Sequence, residues 1–183
     1  MSRSIFPRER RWSTWLRSHM HPSALVKAAN KLEELAYRLG LTSFVPATVD
    51  VLVTVETKEK LEILMGLSSD GENKGRWTPF GERMFRGDEE PQTRAIIIMS
   101  RLGLQLPETR FDPIGVVSAQ WPHAHYLTIM IELRITPEEA ARIIATKEYT
   151  ELQQFTLSDA LIRVDMPEAY KQCVRKLRDH TLQ

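Results

Sequence analysis

Four acidic residues crowd one glycine-punctuated stretch of the chain: Glu82, Asp88, Glu89 and Glu90, set among Gly81, Gly87 and Pro91. Such a group could hold a divalent cation, because hard cations take oxygen ligands. In a plainer alternative, Asp88, Glu89 and Glu90 favour the positive end of a helix that Pro91 begins. The same stretch carries Arg83, Arg86, Arg94 and Arg101. Guanidinium groups match phosphate oxygens in pairs, so two or more facing one cleft would bind a phosphate ester without any metal. Taken singly, each suits an ordinary solvated surface. Asp50 interrupts an apolar run, where it either faces solvent or lies in a cleft, since a buried carboxylate without a partner is costly. His123 and His125, two apart, share a face if their segment is a strand. They could serve as a base or as two ligands of an incomplete metal site, or simply mark a polar loop edge.

A second cluster lies at the N-terminus. Arg3, Arg8, Arg10, Arg11 and Arg17 surround Trp12 and Trp15, and Glu9 is the one acid before residue 33. Arg8, Arg10, Arg11, Trp12 and Trp15 could contact nucleic acid through phosphate charge and base stacking. The tryptophans could equally seat the arm on its own domain or on a protein partner. Near the other end, Lys171, Arg175, Lys176 and Arg178 suit the C-terminal half of a helix.

These residues need elements to position them. Leu25, Ala28, Ala29, Leu32, Leu35, Ala36 and Leu39 recur at helical spacing, with Ser23 as a cap and Gly40 as a stop. An amphipathic helix is expected over about residues 23–39. Thr48–Glu56 alternates and is β-branched, and Lys60–Leu67 follows after a short turn, which predicts a hairpin. Residues 68–75 have loop composition, and 76–91 is glycine-punctuated and reads as irregular. The three consecutive isoleucines within residues 92–104 would equally suit a buried strand, but Pro91 in the first turn and Gly103 just past the end favour a helix. Strands are expected at 113–119 and 125–135, a short helix from Pro137, and an amphipathic helix over 167–180 carrying Cys173 as a small apolar residue. The order points to an α/β or α+β sandwich rather than a doubly wound sheet.

Composition bounds the partners loosely. The formal net charge of +1 favours neither polyanions nor polycations. No apolar run reaches the roughly 18–20 residues of a membrane span, so no membrane partner is expected. The single cysteine excludes an internal disulfide and a cysteine-based zinc site, and fits a reducing, cytoplasmic setting.

Residues 75–107, GRWTPFGERMFRGDEEPQTRAIIIMSRLGLQLP, resemble the Nudix box, written G-x5-E-x7-R-E-U-x-E-E-x-G-U with U aliphatic. The resemblance rests on Trp77 before Pro79-Phe80-Gly81, on Gly87-Asp88, and on Leu102-Gly103-Leu104 at the distance the family's pattern sets. Flanking strands extend it over about residues 46–162. Within the family the chain is most similar to GDP-mannose mannosyl hydrolases, which carry an aspartate where Asp50 stands and a leucine-rich stretch like Leu102–Pro107. The family's glutamates hold magnesium or manganese, which bridges a diphosphate and helps activate water. Anchoring on Gly103 puts Ile96 at the family's arginine, Ile97 at the glutamate after it, and Ser100 and Arg101 at the paired glutamates. The resemblance therefore implies the fold together with a degenerate metal site.

The expected architecture is a Nudix-type α/β/α sandwich with a mixed sheet at 41–183, preceded by a basic arm and amphipathic helix at 1–40. The expected function is that of a non-catalytic module binding a nucleotide, a nucleic acid or a protein. The alternative is an atypical hydrolase of nucleoside diphosphate-linked compounds such as sugar nucleotides. It would use Glu82 and Asp88 as catalytic groups, with magnesium or manganese on Asp88, Glu89 and Glu90. In either case Asp50, Arg83, Arg86, Arg101 and His125 are the candidates to touch the substrate.

Overall fold

The computed structural model describes residues 31, 32, 35, 45, 47–57, 60–84, 90–121 and 124–181. The chain divides into two compact units, Met1–Phe44 and Val45–Gln183. The elements below belong to the second. The basic arm and most of the helix expected at 23–39 lie outside the described residues.

β1 (Ala47–Glu56) occupies the middle of a seven-stranded mixed sheet. One edge runs parallel to β6 (Ala124–Ile135), in register from Ala47↔Leu127 to Val55↔Ile135. The other edge is divided. Its C-terminal half pairs antiparallel with β2 (Leu61–Ser68), and its N-terminal half with β4 (Phe80–Arg83). Where β2 leaves β1, Trp77 and Thr78 of β3 pair with Leu67 and Gly66, so the segment 77–83 passes from one strand to the other across the fork. β5 (Phe111–Trp121) closes the β6 side, and β7 (Tyr149–Thr156) lies along the outer edge of β2.

A strand enclosed on both faces reads as near-continuous apolar sequence, and β1 does so. Val49, Val51, Val53 and Val55 pack with Ala95, Ile98 and Met99 of α1 (Pro91–Arg101). On the opposite face Leu52 joins Met130, Val174 and Leu177 beneath α4 (Glu168–Thr181). Two short helices, α2 (Pro137–Ala140) and α3 (Leu157–Ile162), complete the α/β/α sandwich. Each short helix has a threonine cap, Thr136 accepting from the Glu139 N–H and Thr156 from the Asp159 N–H. No helix among the described residues is long and apolar enough to cross a membrane.

The end of α1 follows the sequence signal closely. Gly103 has φ +90, where a side chain would be strained. Its N–H bonds to the Ser100 carbonyl at 3.1 Å, and the Leu104 N–H bonds to the Met99 carbonyl at 3.0 Å. This paired pattern satisfies two carbonyls the helix leaves open, and Leu104 and Met99 are both fully buried beside it.

Three strands, β3, β4 and β7, depart from the sequence expectation. Residues 77–83 are not irregular, because the fork between β1 and β2 supplies unpaired backbone groups that even a Pro79-interrupted segment can meet. β7 carries its apolar residues, Tyr149, Leu152 and Phe155, three apart instead of two, so alternation gives no strand signal there.

Leu52, wholly buried between β1 and α4, tests the sandwich. Leu52→Ala is expected to lower unfolding free energy by about 2–5 kcal/mol in urea denaturation. Ile162→Ala, at a side chain 78% exposed, should change it by less than about 0.5 kcal/mol.

Candidate functional site

A cleft opens between the C-terminal half of α1, the strand β4 and the turn at 146–149, lined by Gly81, Glu82, Ile98, Arg101, Lys147 and Tyr149 among others. The turn is built by Thr146. Its hydroxyl accepts from the N–H groups of Glu148 (3.2 Å) and Tyr149 (3.3 Å), while its own N–H bonds to the Tyr149 carbonyl. The Lys147 carbonyl in addition accepts from the Ser69 hydroxyl. Tyr149 then projects inward. Its ring meets Phe80 edge-on at 5.1 Å, and its hydroxyl accepts from the Gly81 N–H (3.0 Å) and faces the Gly81 carbonyl at 3.4 Å. The ring passes over Gly66, where a Cβ would come within 2.5 Å of Cδ1, so only glycine fits beneath it. Burial pushes the phenol's pKa up and keeps it neutral.

Charge in the cleft converges on Glu82. Its Oε2 accepts from Arg94 Nη1 at 3.3 Å and from Arg101 Nη1 at 3.0 Å. Arg94 is buried behind Glu82 and does not line the cleft, whereas the Arg101 side chain is 53% exposed at the mouth. Lys147 and Glu148 add one charge of each sign. The local balance is positive, with Arg94, Arg101 and Lys147 against Glu82 and Glu148.

Asp50 is not part of this cleft. Strand alternation puts Glu82 on the α1 face, because it pairs with Val49, and puts Asp50 on the α4 face with Leu52. Asp50 is 4% exposed, which excludes the solvent-facing alternative. It stands opposite Gly81, and a Cβ there would collide with its Oδ1. Burial raises its pKa to about 7, and its charge is felt by Tyr170 and Cys173 of α4. Burial likewise pushes the Cys173 thiol up, away from nucleophilic use.

The remaining sequence candidates are dispersed. Arg83 is half-buried on β4, two residues from Gly81 and so on the Asp50 side of the strand. His125 lies near the β5–β6 turn, its Nε2 2.6 Å from Ser118 Oγ, and does not line the cleft. Glu90 stands at the position just before α1, where its side chain makes no capping bond to the helix. Arg86, Asp88, Glu89, His123, Arg8, Arg10, Arg11, Trp12 and Trp15 lie outside the described residues. Of the named candidates, then, the structure gathers Glu82 and Arg101, with Arg94 behind them. Lys147 and Tyr149 were not singled out by residue type. Tyr149 owes its place to the turn at 146–149 and to Gly66 beneath its ring, contacts that no local pattern reports.

The acid on the α4 face makes folding pH-dependent. A carboxyl whose folded pKa of about 7 exceeds its unfolded value keeps its proton better in the folded state. Its ionisation therefore destabilises the fold progressively as pH rises from about 4 to about 7. Asp50→Asn is expected to flatten the stability–pH profile across that range. At pH 8 it should raise unfolding free energy by an amount on the order of 4 kcal/mol, measured by denaturant titration at several pH values.

No family model matches the sequence, and no curated protein does. Solved structures match through their fold. NrtR from Shewanella oneidensis aligns with 74% of this chain at 14% identity and a TM-score of 0.63. This chain spans only 63% of the length of that NrtR structure. The Nudix domain of the same NrtR, solved with ADP ribose, aligns with 92% of this chain and 97% of its own at 12% identity, with a TM-score of 0.60. A MutT/nudix family protein from Listeria innocua aligns over 75% of this chain and 94% of its own, at 18% identity and a TM-score of 0.60. An Ap4A hydrolase from C. elegans, crystallised as a binary complex, covers 75% and 98% at 15% identity and a TM-score of 0.57. The mixed sheet between helices that carries the Glu82–Arg101 cleft is thus the Nudix fold.

Proposed function

We propose that this protein is a non-catalytic Nudix-fold module that binds the phosphates of a nucleoside diphosphate-linked ligand in the α1–β4 cleft. One observation carries the proposal. The Arg101 guanidinium stands 3.0 Å from Glu82 at the place where the resemblance puts a metal-binding glutamate. The neighbouring glutamate position of the resemblance is Ser100.

Magnesium or manganese, which the resemblance implies, does not fit these residues. Hard cations need several oxygen ligands within reach. The described cleft offers Glu82 and Glu148, and Glu82 is already engaged by two arginines. A divalent ion placed there would face Arg101 and Arg94 at short range, where like charges repel strongly.

The same groups suit an anion. Arg101 is half-exposed and can turn donors toward solvent while Glu82 keeps its orientation, and Lys147 on the opposite wall adds a second cation. Guanidinium and ammonium donors to phosphate are charge-assisted and short. The Nudix domain of NrtR, crystallised with ADP ribose, supports a ligand of this class. ADP ribose is therefore the probe of choice. A GDP-sugar is the second, following the resemblance to mannosyl hydrolases.

Incubating the chain with ADP ribose, GDP-mannose, a dinucleoside tetraphosphate and nucleoside triphosphates, with and without magnesium or manganese, is expected to give no product. Calorimetry should detect binding of at least one of these compounds. Arg101→Ala should weaken that binding about tenfold, and the difference should shrink in high salt. Metal-dependent turnover lost in Glu82→Gln would overturn the reading in favour of a rearranged hydrolase.

A further inference from the structure

On the α4 face of the sheet, Asp112 of β5 and Glu132 of β6 stand directly opposite in the antiparallel register. Like charges in that position are destabilising. Glu132 is moreover 2% exposed, and enclosing a carboxylate demands compensation. Both carboxylates converge on His180, in the last turn of α4. Its Nε2 lies 3.5 Å from Asp112 Oδ2 and 3.7 Å from Glu132 Oε2. The second oxygen of Glu132 is otherwise occupied. Oε1 accepts from Thr54 Oγ1 at 3.2 Å and from Arg134 Nε at 2.9 Å, and Oε2 also accepts, more loosely, from Arg134 Nη2 at 3.4 Å. Thr54 and Arg134 thereby fix the carboxylate so that Oε2 looks toward the imidazole.

We propose that Asp112, Glu132 and His180 form a binding site for a zinc-class divalent ion, which joins the end of α4 to β5 and β6. The donor atoms of the three residues all lie within 4.8 Å of one another. Ligands at about 2.0–2.2 Å from a tetrahedral ion stand roughly 3.3–3.6 Å apart, and the two distances from His180 already approach that spacing. One imidazole nitrogen with two carboxylate oxygens suits zinc, and cobalt in its place, better than magnesium, which demands near-octahedral oxygen coordination. Three protein ligands leave a fourth position. Asp112 and His180 are exposed enough for water to complete it. Thr54 and Arg134 serve as outer groups that orient a ligand, a role such sites commonly need. The positive charge of Arg134 opposes the ion and lowers affinity, but here two carboxylates stand against one cation, whereas in the α1–β4 cleft the cations outnumber the carboxylates. This site shares no residue with the Glu82–Arg101 cleft and stands whether or not that cleft binds nucleotides.

The test uses the full chain stripped by a chelator. Zinc affinity is measured by competition with a chromophoric chelator, and cobalt is titrated separately for the visible absorption of a tetrahedral ion. One equivalent is expected to bind, with a rise in Tm. His180→Ala and Asp112→Asn, both at exposed positions that the fold tolerates, should each weaken zinc at least about tenfold and abolish the Tm rise. His125→Ala, at another surface histidine, should leave the affinity unchanged. Failure of the unaltered chain to bind zinc stoichiometrically would overturn the proposal. So would equal affinity in His180→Ala. A drop in Tm for His180→Ala without any effect of zinc would assign the cluster to a plain imidazolium–carboxylate pair instead.

Discussion

β1 has two edges and three partners, and most of the molecule is arranged by that mismatch. β6 takes one edge for nine residues, so the other must be divided between β2 and β4. The division forces β2 away from β1 and creates the fork that residues 77–83 cross. It also fixes parity. Because β1 is enclosed on both faces, each residue must enter one of two cores, and a one-residue slip would exchange them all. Val49 and its alternates meet α1, while Asp50 and Leu52 go to α4. By pairing with β1, β4 inherits the same parity, and this brings Glu82 to α1 and sets Gly81 against Asp50.

The cleft is electrostatically a consequence of that parity. Glu82 reaches α1 on the face where Arg94 and Arg101 project, and one carboxylate there serves two guanidinium groups. The inner arginine is buried and helps hold the wall, while the outer one is half in water, where an ion pair adds little to stability. A weak, exposed pair is easily shared with an incoming anion. A strong, enclosed one would not be. The difference in burial between the two arginines is what lets a structural ion pair and a recognition surface use the same carboxylate.

The sequence made some of this legible. The β1–β2 hairpin, the helix from Pro91 to Gly103 and the β5–β6 pair are all signalled by local chemistry: β-branched runs, a proline at a helix start, a glycine at its end. The motif resemblance led to the right fold on its glycine, proline and leucine landmarks, with Ser100 and Arg101 as the residues it aligns with acidic positions. Other features depend on contacts that no local pattern reports. β3 and β4 exist because a fork elsewhere leaves backbone groups unpaired. β7 hides because its apolar residues are three apart. Asp50 is equally compatible with solvent, cleft or core until the pairing of β1 is known. The Asp112–Glu132–His180 cluster joins residues from three elements up to 68 positions apart in sequence, and neither register nor helix docking is readable from spacing alone.

Gly66, Tyr149, Gly81 and Asp50 form a single column. The Tyr149 ring fills the room that Gly66 lacks a side chain to occupy, its hydroxyl engages the Gly81 backbone, and Gly81 leaves space for the Asp50 carboxyl. Either glycine can gain a side chain only if the tyrosine or the aspartate is trimmed in step, so the four positions are sterically coupled and can change only together.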